Sequence, residues 1–217
     1  MENDKMLKKL QDGREYRSMQ LEIREASTQD EGNPEKMIVE GYATIFNQEY
    51  LLCENRHYKV YEKVDPGAFD GCDMSDVIFQ YDHGGRVFAR TKNGTLTLSV
   101  DSRGLKVAAD LGGTEIGRQL YGEIKGGYTD KMSFGFVVGE EKRESVENEE
   151  TGDVTVTRTI TKFKKLYDVS AVSFPANDAT SISARNFSDG VIREMEAERL
   201  ARADIATRIR IKLTMGV

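Results

Sequence analysis

Apolar residues that alternate with polar ones, broken at short intervals by turn residues, limit most sharply what this chain can fold into. Leu96, Leu98 and Val100 alternate with threonine and serine, Asp101-Ser102-Arg103-Gly104 turns the chain, and Leu105, Val107 and Ala109 alternate back. Strand side chains point to opposite faces with period two, so this pattern predicts a half-buried β-hairpin. The same period recurs at Met19, Leu21 and Ile23, over Met37 to Phe46, and at Met132, Phe134 and Phe136. The first two of these segments are expected to pair as a hairpin. Val77-Ile78-Phe79 reads as a short buried strand. Val154, Val156 and Ile160 lead back from an acidic tip around Thr151-Gly152, and Leu166 to Phe174 forms a last strand closed by Pro175.

Helical spacing is confined to two or three places. Thr114 can cap a helix that carries Ile116, Leu120 and Ile124 on one stripe and ends at Gly126-Gly127. Asp65 and Pro66 can open a short helix. Residues 188 to 212 hold Val191, Ile192, Met195, Leu200, Ile205 and Ile209 among charges, and the segment ends positive at Arg208, Arg210 and Lys212. Residues 47 to 63 read as a polar, tyrosine-containing excursion. The count predicts an α+β, mostly β fold: a small antiparallel β-barrel with two or three peripheral helices. It divides into a flexible segment over 1–13, a barrel domain over 14–187 and a helical tail over 188–217.

Composition narrows function by exclusion. The 217 residues, 38% hydrophobic and 31% charged, supply one core and a wet surface. A net charge of −6 and the lack of basic–aromatic interleaving argue against nucleic acid as a partner. No apolar run is long enough to span a membrane, and Met1-Glu2-Asn3-Asp4-Lys5 is not expected to open a secretory leader. Cys53 and Cys72 are the only cysteines and form no CxxC pair, which predicts a reducing compartment and no structural zinc. Cys53 and His57 stand at CxxxH spacing without a second ligand pair, so no metal is assigned. Gly112-Gly113 lacks the phosphate-binding pattern and reads as a turn. No cofactor is expected.

Chemistry concentrates in two segments. In Lys131-Met132-Ser133-Phe134-Gly135-Phe136, Ser133 and Gly135 share a strand face opposite the three apolar residues, and the glycine leaves room for another chain to approach. His83, one of two histidines, follows the Val77 strand in Gln80-Tyr81-Asp82-His83-Gly84-Gly85-Arg86. A serine hydroxyl is a weak nucleophile until a base takes its proton, and an imidazole titrates near neutrality, so the pair suggests acyl transfer. The plainer reading is a strand serine with no reactive role.

The ordered set of motifs is more specific than any one of them. Gly41-Tyr42-Ala43-Thr44-Ile45-Phe46-Asn47 is followed by Pro66-Gly67-Ala68-Phe69, the His83 segment, Arg90 with Gly94-Thr95-Leu96, and Met132-Ser133-Phe134-Gly135-Phe136. Leu166-Tyr167-Asp168-Val169-Ser170-Ala171-Val172 and Pro175-Ala176 complete it. From about Gly41 to Arg185 the chain resembles the prohead maturation proteases of tailed bacteriophages. That family is distantly similar to herpesvirus assembly proteases, which share a β-barrel core and use Ser-His-His. The resemblance implies Ser133 as nucleophile and His83 as base, with Asp168 orienting the imidazole and His57 as the alternative third member. Many relatives read Asn-His-Asp where this chain has Asp82-His83-Gly84, so no acid follows the histidine here. Arg90 matches an arginine of the pattern, either at the site or in a structural ion pair.

The resemblance further implies a serine endopeptidase inside the assembling prohead in the host cytoplasm. Its substrates would be the scaffolding protein, or a scaffold-like segment of the major capsid protein, and itself. A dimer or higher oligomer is expected. The rival of a different class is a non-catalytic scaffold or capsid-assembly module of the same fold.

Overall fold

The structure, a computed structural model, describes residues 13–19, 24–25, 36–173, 189–202 and 204–205. Its elements in chain order are β1 (Glu15–Met19), β2 (Arg24–Glu25), β3 (Ile38–Ile45), β4 (Tyr50–Glu54), β5 (Tyr58–Val64), β6 (Ile78–Tyr81), β7 (Gly84–Arg90), β8 (Leu96–Val100), β9 (Gly104–Asp110), α1 (Glu115–Lys125), β10 (Lys131–Glu147), β11 (Val154–Val172) and a helix over 189–202, here α2. The class is α+β with β dominant, as expected. No closed barrel is found among the described residues. The strands form a seven-stranded sheet, in which β1, β10, β11, β5 and β4 lie in order, β6 pairs with β11 and β7 with β6, and a four-stranded sheet in the order β2-β3-β9-β8. Nor is the larger sheet antiparallel throughout, because β11 runs parallel to both β5 and β6.

The two sheets share one core. Val39, Ala43, Leu105 and Val107 meet Phe79, Val169 and Ala171, and α1 adds Leu120 and Ile124. At the centre the Phe163 ring lies 4.6 Å from Phe69, 4.9 Å from Phe136 and 5.9 Å from Phe134. Such offset and edge contacts add to the burial of the rings themselves. Thr114 caps α1 as expected, its hydroxyl accepting from the Gly117 N–H at 3.1 Å.

Three local expectations are revised. Residues 47–63 are not an excursion but contain β4 and β5, an antiparallel pair. The Asp65-Pro66 segment makes hydrogen-bonded turns rather than a helix; the Asp65 carboxylate accepts from the Gly67 N–H at 2.8 Å. β2 does pair with β3, but the strand before it, β1, pairs with β10 instead. Residues 20–23, which carry Leu21 and Ile23, lie outside the described residues, as do 1–12. In the tail, Val191 and Ile192 of α2 pack on Tyr58, Val60, Val154 and Val156, whereas Leu200 and Ile205 are exposed.

One buried ionic cluster ties β1 to the sheet. Arg17 donates to both Glu62 oxygens, at 2.7 and 2.9 Å, and to Glu15 at 2.5 Å. Arg158 donates to Glu62 at 2.7 Å, to Glu15 at 2.7 and 2.8 Å, and to Glu141 at 2.5 and 2.7 Å. The Tyr50 hydroxyl also donates to Glu62. Arg17, Glu62 and Arg158 are at most 2% exposed, so each charge depends on its partners for the solvation it has lost. Burial works against the Arg17 charge, but the carboxylates of Glu62 and Glu15 outweigh it and hold the guanidinium above its ordinary pKa. Burial likewise raises the Glu15 carboxyl, but the Arg158 hydrogen bond and both guanidinium charges bring it down to about 2.

A carboxyl held below its ordinary value stabilises the fold above that value and loses the effect as pH falls towards the depressed one. Between about pH 5 and pH 2 Glu15 should therefore account for roughly 3 kcal/mol of lost stability. Urea unfolding of the protein and of Glu15→Gln across that range checks it. The variant should start less stable and show the shallower pH slope.

Candidate active site

Ser133, His83 and Asp168, separated by 50 and 85 residues, come together on one face of the seven-stranded sheet. The register of β10 against β11 sets two of them: Ser133 lies opposite Ser170, and Gly135 opposite Asp168. Directly opposed residues share a face, and so do residues two apart on a strand. Ser133, Gly135, Asp168 and Ser170 therefore form one patch.

The third member arrives by a tight turn. β6 runs parallel to β11 with Gln80 beside Ser170 and Tyr81 beside Ala171. Tyr81 then pairs with Gly84, which leaves Asp82 and His83 as a two-residue loop. Both are left-handed, with φ of 46° and 54°, the twist that such hairpin loops require. For residues with a Cβ this conformation is uncommon and persists where the surroundings enforce it. Here Asp82 is pinned. Its N–H donates to the Ala171 carbonyl at 2.9 Å, and its carboxylate accepts from the Ser173 N–H at 3.1 Å and hydroxyl at 3.0 Å. The turn thus swings the imidazole back over the end of β11.

The resulting distances are short. Nδ1 of His83 is 2.5 Å from Oδ1 of Asp168, and Nε2 is 2.5 Å from Oγ of Ser133. The Ser170 hydroxyl donates to the same Asp168 oxygen at 3.0 Å and sits 3.2 Å from Nδ1. With a carboxylate on Nδ1, that nitrogen carries the proton, and Nε2 is left to accept from serine. The Ser133 hydroxyl has a second acceptor, the Arg17 carbonyl of β1, at 2.8 Å. One proton serves both: it goes to Nε2 when the imidazole is neutral and to the carbonyl when Nε2 is itself protonated. The edge of the His83 ring meets the Tyr16 ring at 4.6 Å. All three residues are buried, and Ser133 has no exposed surface.

His57, the alternative third member, is elsewhere. It lies between β4 and β5, half-exposed, with Nδ1 3.4 Å from Asp153 at the far end of β11. Arg90 is likewise engaged away from the cluster, forking onto Asp76 at 2.6 and 2.7 Å, which is the structural ion pair. Sequence reasoning missed Ser170, although its place two residues after Asp168 on a strand was a signal for a shared face. It also missed Tyr16 and Arg17, whose distance along the chain left no signal.

A profile of the family described as caudovirus prohead serine protease matches residues 20–194. No curated protein and no solved structure matches the chain.

Gly135 is the packing constraint of this face. A Cβ there would stand 2.5 Å from Oδ2 of Asp168 and 2.7 Å from the Tyr16 ring, whereas one at Gly139, further along the same strand, meets nothing nearer than 3.3 Å. Gly135→Ala should lower stability by about 1–3 kcal/mol. Gly139→Ala should cost clearly less, as paired urea-unfolding curves would read.

Proposed function

Because the chain belongs to the caudovirus prohead serine protease family, we propose that it is a serine endopeptidase acting through Ser133, His83 and Asp168 inside the assembling prohead. The substrates in this reading are the scaffolding protein or a scaffold-like segment of the major capsid protein, and the enzyme itself. The observation that carries the assignment is the position of the His83 ring, with one nitrogen 2.5 Å from a buried serine hydroxyl and the other 2.5 Å from a buried carboxylate. That is the geometry of a nucleophile, its base and the base's orienter.

The steps follow from the atoms. Oγ of Ser133 attacks the carbonyl carbon of the scissile peptide while Nε2 of His83 takes the hydroxyl proton. The imidazolium so formed is stabilised by Asp168, which also fixes the tautomer. The C–N bond breaks, the proton on Nε2 passes to the leaving amine, and an acyl-enzyme remains on Ser133. Water then attacks the ester with His83 again as base, releasing the acid and restoring the serine. Ser170 supports Asp168 by donating to the oxygen that faces His83.

Ser133→Ala and His83→Ala should each abolish processing, with losses of about a millionfold in turnover, because such residues act as a unit. Asp168→Asn should lose about ten-thousandfold. His57→Ala should be mild. Co-expression with the capsid protein, followed by gel analysis of both chains, reads all four. Near-normal processing by folded Ser133→Ala would end the assignment. The C-terminal segment supplies a second test. Only Val191, Ile192 and, in part, Met195 hold the described tail to the sheet, while Leu200 is exposed, so local unfolding into an extended substrate is inexpensive. Active protein should lose this tail on standing by cleavage somewhere C-terminal to Arg185, while Ser133→Ala keeps it. Intact mass spectrometry decides.

A further inference from the structure

We infer that β1 stands in the place of substrate, and that the pocket holding Arg17 is the subsite for the residue on the acyl side of the scissile bond, with Glu62 selecting arginine there. The inference rests on the protease reading above and names its substrate class.

Strand β1 lies antiparallel along β10, with Ser18 opposite Ser133 and Arg17 opposite Phe134. An extended peptide that adds to a sheet edge is a common way for a protein to hold a substrate or ligand. The peptide group between Arg17 and Ser18 is the one that reaches the nucleophile, since Oγ of Ser133 is 2.8 Å from the Arg17 carbonyl oxygen. In a peptide cut by this serine, the residue whose carbonyl sits there is the acyl residue. Its side chain then goes where that of Arg17 goes, away from the His83 face and onto Glu62.

The pocket is built for a guanidinium. Glu62 is fully buried and offers Arg17 both oxygens, the planar fork that arginine fits and lysine does not. Tyr50 and Arg158 hold the carboxylate from the other sides. Burial, then the Glu62 charge, keep the Tyr50 hydroxyl protonated as a donor. With β1 withdrawn, Glu15 leaves as well, and Glu62 keeps one buried side with no cation. An incoming arginine restores it. Until then β1 excludes substrate: it covers Ser133, its Arg17 carbonyl occupies the place beside the hydroxyl, and Tyr16 lies against the imidazole. As a tethered competitor it acts at an effective concentration in the millimolar range.

The test uses diphenyl phosphonates on short extended peptides, one with an arginine analogue at the acyl position and one with leucine. Oγ of Ser133 forms the O–P bond, phenoxide departs, and the hydroxyl proton leaves on phenol by way of His83. Intact mass spectrometry follows the adduct on the full chain, on Arg17→Ala and on Glu62→Gln. Unfolding curves of each variant establish that it is folded. A small fluorophosphonate serves as a probe with no acyl side chain. The arginine probe should label the full chain at least about tenfold faster than the leucine probe. Arg17→Ala should raise labelling by the arginine probe about tenfold, and Glu62→Gln should bring the two peptide probes to similar rates. Equal rates for the two peptide probes on the full chain, with Ser133 labelled by the fluorophosphonate, would overturn the Glu62 subsite and leave the protease reading standing. If no probe labels Ser133 in any of the three proteins, both fall. The full-chain comparison needs no substitution, so it decides the matter even if a variant fails to fold.

Discussion

The antiparallel register between β10 and β11 carries the rest of the site. These are the two longest strands, and their pairing places Ser133 against Ser170 and Gly135 against Asp168. A slip of one residue would turn each of those side chains to the opposite face and send Phe134 and Phe136 out of the core. The aromatic cluster around Phe163 therefore protects this arrangement indirectly. It penalises any register that would separate serine from carboxylate. The bulges further along, between Gly135 and Glu141, fall after this stretch and leave it regular.

A second constraint is burial. Serine, imidazole and carboxylate all lie in a low-dielectric setting, where each hydrogen bond is stronger and each missing partner more costly. Ser170 answers one such cost by donating to Asp168. The ionic cluster of Glu15, Arg17, Glu62, Glu141 and Arg158 answers another on the opposite side of β1. The same short strand thus has one face against His83 and one against buried charge. Its placement is specified twice over by groups that cannot be left unpaired.

What could be read from the sequence divides along the same physical lines. The β8–β9 hairpin, the acidic tip between β10 and β11, and the Thr114 cap were legible, because period, turn chemistry and capping act between near neighbours. The pair β4–β5 was not. Its inward row runs Tyr58, Val60, Glu62, Val64, and a carboxylate in the core breaks the alternation that marks a strand. Barrel closure was expected because periodicity identifies faces, but it does not identify partners. Nothing in β11 announces that β5 and β6 join it in parallel. At the site, Ser133, His83 and Asp168 stood out through their motifs, and the structure brings them together. Tyr16, Arg17 and Glu62 owe their places to contacts between residues far apart in the chain, for which a single sequence holds no pattern.

The outer edge of β10 has one further consequence. An unpaired strand offers a row of donors and acceptors that any extended chain can join, a hazard that proteins manage by covering or breaking such edges. Here the cover is the protein's own β1. While it stays, copies can be crowded together without one sheet templating on the next. Were it to leave, the bare edge would be open to whatever extended segment is nearest. A chain without this cover would present the same row of donors and acceptors to its neighbours as to any other extended segment.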